Sequence, residues 1–474
     1  METKNVWETY SKQQLKELEI FSNDYINFLS VAKTERECID EIIIRAEKEG
    51  YIELEKIIKE GKKLQVGDKI YSICMGKTIA LFQIGKEPLE NGMNILGAHI
   101  DSPRLDVKSN PLYEEGGFAY LDTHYYGGIK KYQWVTIPLA IHGVVIKKDG
   151  TTIILNIGEN EDDPVFFVSD LLVHLSKDQM DKKASDVIEG EMLDVIVGNR
   201  PIFINNKEKN IDEDNVKKDD KDTVKKYILN ILKDTYDMAE DDFLSAELEI
   251  VPAGRAREAG FDRSMILAYG QDDRVCSYAS LIAFFEAKDL ERTTCCILTD
   301  KEEIGSVGAT GMQSNFFENT VAEILNLSGE YNELTLKRCL KNSHMLSSDV
   351  TTGFDPTFAS SFDKKNVAYF GKGLVFNKFT GSRGKSGSND ANPEYIAKLR
   401  NIFQKDNILF QMSELGKVDA GGGGTIAYIL ALYGMNVIDC GVALLNMHAP
   451  WEASSKIDVY EMKRGYISFL RNMK

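Results

Sequence analysis

GMNILGAHIDSP, residues 92–103, is an apolar run that ends in His99 and Asp101. Other runs end the same way. SMILAYGQDDRV (264–275) reaches Asp272 and Asp273, and TTCCILTDKEEIGS (293–306) reaches Glu302 and Glu303. HMLSSDV (344–350) reaches Asp349, and VIDCGVALLNMHAP (437–450) reaches His448. Five strand-like runs therefore stop at imidazole or carboxylate side chains. An open α/β sheet builds its site in this way, outside the carboxyl ends of its strands. Imidazole together with carboxylate suits borderline-soft cations such as zinc. The pattern predicts an α/β fold carrying a hydrolytic site with two metals.

The chain has 474 residues, too many for one ordinary domain, so two are expected. Apolar residues make up 43% and charged residues 28%, the balance of a soluble globular protein. A net charge of −17 argues against nucleic acid or anionic membrane as a partner, because phosphate binding needs a basic face. The first 21 residues are polar and helix-like, unlike a secretion signal, and no run approaches the ~18–20 apolar residues that span a bilayer. The cysteines are Cys38, Cys74, Cys276, Cys295, Cys296, Cys339 and Cys440. Their number is odd and no CxxC pair occurs, so reduced thiols in the cytoplasm are expected. Adjacent Cys295 and Cys296 would face opposite sides of a strand, which sets them aside as a metal pair.

Helical spacing of apolar residues in LKELEIFSNDYINFLSVA (15–32) and CIDEIIIRAEKEGY (38–51) predicts helices over the first 60 residues. YSICMGKTIALFQIG (71–85) reads as strands. From 105 to 247 the texture changes to short β-rich runs such as WVTIPLAIHGVVIK (134–147) and TTIILNIG (151–158), which predicts an inserted β-rich domain. Within it KEKNIDEDNVKKDDKD (207–222) has almost no apolar residues and reads as a solvated loop. Segments 1–104 and 248–474 then form one α/β domain, with strand–helix alternation, a mainly parallel sheet and a closing helix at KIDVYEMKRGYISFLRNMK (456–474).

Asp272 precedes a good helix and by itself reads as an N-cap. As one of five acids or histidines at run ends, it is instead a candidate to bridge two cations ~3.5–4 Å apart. In the adjacent pair Glu302 and Glu303, one carboxylate can bind metal while the other keeps a free oxygen for proton transfer. His99 and Asp101 lie two apart and project the same way from an extended chain. A carboxylate that accepts the second imidazole proton fixes the tautomer of a ligating histidine. Of six histidines (His99, His124, His142, His174, His344, His448), two end strand-like runs near acids.

Three motifs are set aside. GSRGKSGSND (381–390) holds Gly-Lys-Ser, but Phe379 stands where a phosphate loop has its leading glycine. GGGGTIAYILALYG (421–434) reads as a glycine-rich lead into an apolar helix that lets backbone approach a substrate or another helix. No H-E-x-x-H occurs, which excludes a helix-borne single-zinc site.

With these residues placed, AHIDSPRLDVK (98–108), YYGGIKKYQW (125–134), LLVHL (171–175), QDDRVCSY (271–278), DKEEIGSVGATGMQS (300–314), SSDVTTG (347–353) and LNMHAP (445–450) occur in one order. The chain resembles the aspartyl aminopeptidase family of dinuclear zinc exopeptidases from about residue 60 to the end. The resemblance implies a zinc-exopeptidase-like fold and a metal-dependent aminopeptidase acting on peptides. It implies two divalent ions per subunit, zinc or else cobalt or manganese. His99 and Asp349 would hold one, Glu303 and His448 the other, and Asp272 both. Glu302 would be the general base, Asp101 would orient His99, and His174 would be donated to a neighbouring subunit by the inserted dimerisation domain of a homododecamer. An acidic substrate side chain would need a paired cation. Lys378, Arg383 and Lys385 are the candidates, so an acidic preference is the expectation and a broader neutral one the alternative. The competing readings are a dinuclear amidohydrolase for acylated amino acids and a non-catalytic cage or binding protein on the same fold.

Overall fold

The computed structural model describes residues 4–202 and 222–474. The charged segment 207–222 therefore lies, but for Asp222, outside the described residues. The chain divides into two compact units, one made of 1–102 and 255–474, the other of 103–254.

In the first unit the strands Thr294–Thr299, Asn94–His99, His344–Ser347 and Asn436–Gly441 lie side by side and run parallel. They are nearly continuous apolar runs because a central parallel strand is covered on both faces. Period two divides their side chains. Leu96, Ala98, Cys296 and Leu298 join one core with Tyr278, Phe284 and Tyr466, whereas Ile95, Cys295 and Ile297 join a second with Phe317, Val321 and Leu430. The helices Lys12–Val31, Gln271–Glu286 and Lys456–Asn472 supply the first core, and Phe316–Ser328 and Glu333–Lys341 the second. Lys12–Val31 and Glu35–Lys48 each begin with a capping box, Ser11 with Gln14 and Thr34 with Glu37. Outside the parallel core are Thr78–Gln83, Lys69–Cys74 and Ile52–Glu53 on one side, and Leu374–Asn377 and Phe410–Ser413 on the other, which makes a nine-stranded mixed sheet. The helix expected after the four glycines is short, Ala427–Ala431, because Gly434 at φ +81 turns the chain into Asn436–Gly441.

A smaller five-stranded sheet in the same unit has the order Arg257–Ala259, Met265–Ala268, Glu452–Ser455, Ala443–Leu445, Thr351–Thr352. The five runs that end in acids and histidines are thus not all in one sheet. Those before His99, Glu302 and Asp349 are neighbouring strands of the large sheet. Those leading to Asp272 and His448 finish in the small one.

The second unit is a six-stranded antiparallel sheet, in the order Thr152–Ile157, Leu139–Ile146, Ala246–Pro252, Arg104–Glu115, Phe118–Tyr126, Val195–Gly198. The helix Thr223–Tyr236 packs on its Arg104–Glu115 and Phe118–Tyr126 strands.

Candidate metal centre

His99 is the last residue of its strand and is 2% exposed. Its Nδ1 lies 3.2 Å from Asp101 Oδ1, and its Nε2 lies 3.3 Å from Asp272 Oδ1 and 3.9 Å from Glu302 Oε2. The second histidine comes from the opposite direction. His448 Nε2 is 3.3 Å from Asp272 Oδ2 and 3.4 Å from Glu303 Oε2. The two oxygens of Asp272 therefore address different histidines. Its backbone is extended, at φ −83 and ψ 104, and it is the two histidines, His99 buried and His448 half-buried, that engage its carboxylate, not the first turn of the helix. His99, Glu302 and Asp349 bring donor atoms within 4.8 Å of one another, as do His99, Asp272 and Glu303, and Asp272, Asp273 and Asp349.

The backbone is shaped to hold these groups. Asp101, fully buried, accepts the amide of Glu302 at Oδ1 and that of Glu303 at Oδ2, both at 3.1 Å. One carboxylate thus lies beside His99 Nδ1, which also meets the Asp101 carbonyl oxygen at 3.0 Å, and holds the 3-10 turn Glu302–Ile304. Glu452 does the same on the other side. Its Oε2 accepts the amide of Asp272 at 3.0 Å and its Oε1 that of His448 at 2.7 Å. His448 sits at φ +65, a left-handed conformation that costs an ordinary residue about 1–2 kcal/mol, and the bond to Glu452 helps to hold it there.

The electrostatics are those of an anionic cluster with too little counter-charge. Burial opposes ionisation of Asp272, but hydrogen bonds from His448 and His99 outweigh it and hold this carboxyl well below the usual range. Burial disfavours charge on His99 too, and Asp101 and Asp272 overcome it, so its pKa lies well above that of a free imidazole. Burial, reinforced by neighbouring carboxylates, pushes Glu303, Asp349 and Asp273 far up and Glu302 up to about 7. Glu452 is pushed up to about 8, first by burial and then by Asp272, although two donated amides suit an ionised carboxylate. Glu303 Oε1 is buried without a hydrogen-bond partner among the described residues, and the buried carboxylate of Asp273 has only the weak donor Cys276. Poorly satisfied anionic oxygens, two imidazoles and a surplus of negative charge fit divalent cations of the zinc class. The cluster opens on a cavity of about 570 Å³.

The profile of the Aminopeptidase I zinc metalloprotease (M18) family matches residues 28–470. The chain belongs to this family. It is a metal-dependent aminopeptidase, a hydrolase that acts on the N-terminal peptide bond. It is 59% identical over 471 residues to a probable M18 family aminopeptidase 1 of Clostridium acetobutylicum, covering 99% of this chain and 98% of that one. A crystal structure of aminopeptidase I from the same organism superposes with a TM-score of 0.91 at 58% identity, and an M18 aminopeptidase from Thermotoga maritima with 0.92 at 42%, each covering all of both chains. A yeast mApe1 dodecamer, at 19% identity and TM-score 0.72, covers 96% of this chain and 97% of that one and shares the fold.

The cavity of the aminopeptidase is lined by Val350, Leu415, Tyr428 and Met447 and by the glycines 422–424, and among the described residues neither lysine nor arginine contributes to it. Of the basic candidates, Lys385 lies 3.0 Å from Asp390 and stacks on Phe379, and Lys378 lies 3.9 Å from Asp390. Arg383 is exposed. His174 belongs to the second unit, in the exposed turn Val173–Leu175. Two acids were not singled out from the sequence. Asp273 read only as the neighbour of Asp272, and Glu452 opens the strand Glu452–Ser455, too short to leave a periodic signal. Only its place four residues after His448 links it to the site.

Proposed function

We propose that this aminopeptidase uses a two-metal centre in which Asp272 is shared. The observation that carries the reading is the division of its carboxylate, one oxygen 3.3 Å from His99 and the other 3.3 Å from His448. His99 with Asp349 would hold one cation, and His448 with Glu303 the other. Zinc fits these donors, and cobalt and manganese accept them as well. Bound there, the cations supply Lewis acidity and make water acidic enough to ionise near neutral pH. Asp101 holds His99 in one tautomer. Glu302, 15% exposed and facing the cavity, takes the proton of the attacking water and returns it to the leaving amine.

The first residue of the substrate is read as neutral rather than acidic. An acidic side chain would enter a cavity walled by Val350, Leu415 and Met447 to which, among the described residues, no lysine or arginine contributes. Self-association into dimers and a homododecamer, with His174 reaching a neighbouring site, draws support from the exposure of Leu172, Val173 and Leu175 around it. The seven cysteines, all free, agree with a reducing cytoplasm.

The test is metal stoichiometry. The wild type should hold two ions per chain, Asp272→Ala should lose both along with activity, and Asp273→Ala should lose fewer. Equal retention in the two variants would remove the bridging role from Asp272.

A further inference from the structure

Asp439 is a buried carboxylate, 1% exposed, that the chemistry above does not use. It lies in the strand Asn436–Gly441, opposite Ser347 on one neighbouring strand and Asn377 on the other. Residues directly opposite share a face of the sheet, so the three form a polar row. All are buried; Asn377 Oδ1 finds no hydrogen-bond partner among the described residues, and Asp439 has Ser347 beside it. A buried polar row that is only partly satisfied costs stability, which asks for a reason to keep it.

An oxygen of Asp439 supplies one. Oδ1 accepts the hydroxyl of Thr425 at 2.6 Å, and Thr425 Oγ1 in turn accepts the amide of Ala427 at 3.2 Å. Thr425 ends the segment Gly421–Gly424, which has no side chains with which to anchor itself. A Cβ on Gly421 would lie 1.8 Å from Leu415 O, and one on Gly422, at φ +125, 2.4 Å from Gly381 O. These two glycines are wedged against neighbouring backbone. Gly423 has open space where a Cβ would be, and a Cβ on Gly424 would make only an ordinary contact, 3.9 Å from Gly387 O. Gly422, Gly423, Gly424 and Thr425 all line the cavity, and the amides of the three glycines bond to no described residue. This wall offers bare main-chain donors, and Thr425 is its side-chain tether.

We propose that Asp439 is a positioning residue: through Thr425 it fixes the Gly421–Gly424 wall so that its free amides meet the main chain of a bound peptide. The inference rests on the cavity being the peptide site. Burial pushes the pKa of Asp439 up to about 7, with Thr425 pulling the other way. Asparagine, which keeps the acceptor without the charge, is therefore the conservative replacement, and serine is that for Thr425.

The experiment uses the metal-loaded full chain, with Leu-Gly-Gly as the probe peptide and deuterium exchange of the 415–426 segment as a readout that needs no substrate. Thr425→Val and Asp439→Leu should raise KM by about tenfold or more, with a smaller change in kcat, unchanged metal content and faster exchange. Thr425→Ser and Asp439→Asn should stay within about threefold of wild type. A folded, metal-replete Thr425→Val with wild-type KM and wild-type exchange would overturn the tether, as would Asp439→Asn behaving like Asp439→Leu. If the wild type cleaves no peptide, the peptide-site reading fails, and the exchange rates still judge the tether.

Discussion

Replacing Glu452 by Gln changes one atom in a residue that touches no substrate, yet it should weaken metal binding. The carboxylate accepts two backbone amides, from Asp272 at 3.0 Å and His448 at 2.7 Å. A carboxamide has one acceptor oxygen, and its NH2 would face the other amide. One buried N–H is left unpaired, at about 1–3 kcal/mol. If His448 loses its partner, its φ +65 backbone loses a support as well. The cation must then reorder Asp272 and His448 as it binds. At 1.4 kcal/mol per factor of ten, the loss corresponds to about 5- to 150-fold in Kd. That range agrees with the effect, about 10- to 100-fold, of removing groups that orient metal ligands. Zinc titration against a competing chelator measures Kd, and thermal melting of the metal-free protein measures the fold. An E452Q protein that binds zinc as tightly as wild type and melts at the same temperature would refute the reasoning.

Glu302→Gln should retain bound metal and lower kcat by on the order of 10²–10⁴; unchanged turnover at full metal content would exclude it as the base. A panel of leucyl, lysyl, aspartyl and glutamyl substrates should give the highest kcat/KM for leucyl, and a clear aspartyl advantage would contradict a cavity wall without lysine or arginine. Mixing His174→Ala with Glu302→Gln subunits should restore part of the activity if His174 acts across subunits, and verified mixed oligomers without recovery would count against it. Asp439 also predicts a pH effect. Burial raises its folded pKa from 3.8 to about 7, so as pH climbs from about 4 to 7 the unfolded chain releases a proton that the folded chain keeps. Stability is full below the unfolded value and falls through this window, by about 4 kcal/mol at most. Asp439→Asn lacks the slope, so its melting temperature should gain on that of the wild type with rising pH, and parallel curves would refute this.

The candidate ligand types were legible because each closes an apolar run, and a strand that must be buried on both faces announces its end by the first charged or imidazole side chain. His99, Glu302 and Asp349 could be read in this way from neighbouring strands. Asp272 and His448 could be read as candidates, but the small sheet that delivers them could not, since its strands Met265–Ala268, Glu452–Ser455 and Ala443–Leu445 are far apart in sequence and only three or four residues long. Lys378 and Lys385 were legible as cations, but their pairing with Asp390 was not.

The sequence by itself determined the α/β class, the residue types available for a metal centre and the family to which the chain belongs, because these follow from local periodicity and from motifs contiguous in the chain. Only the tertiary structure decided which oxygen of Asp272 faces which histidine, that Asp101 and Glu452 accept the backbone amides of Glu302, Glu303, Asp272 and His448, and that Asp439 stands between Ser347 and Asn377 near a wall of glycines. These are relations between residues up to hundreds of positions apart. They are set by strand register and by the need to pair buried polar groups, neither of which leaves a periodic trace along the chain.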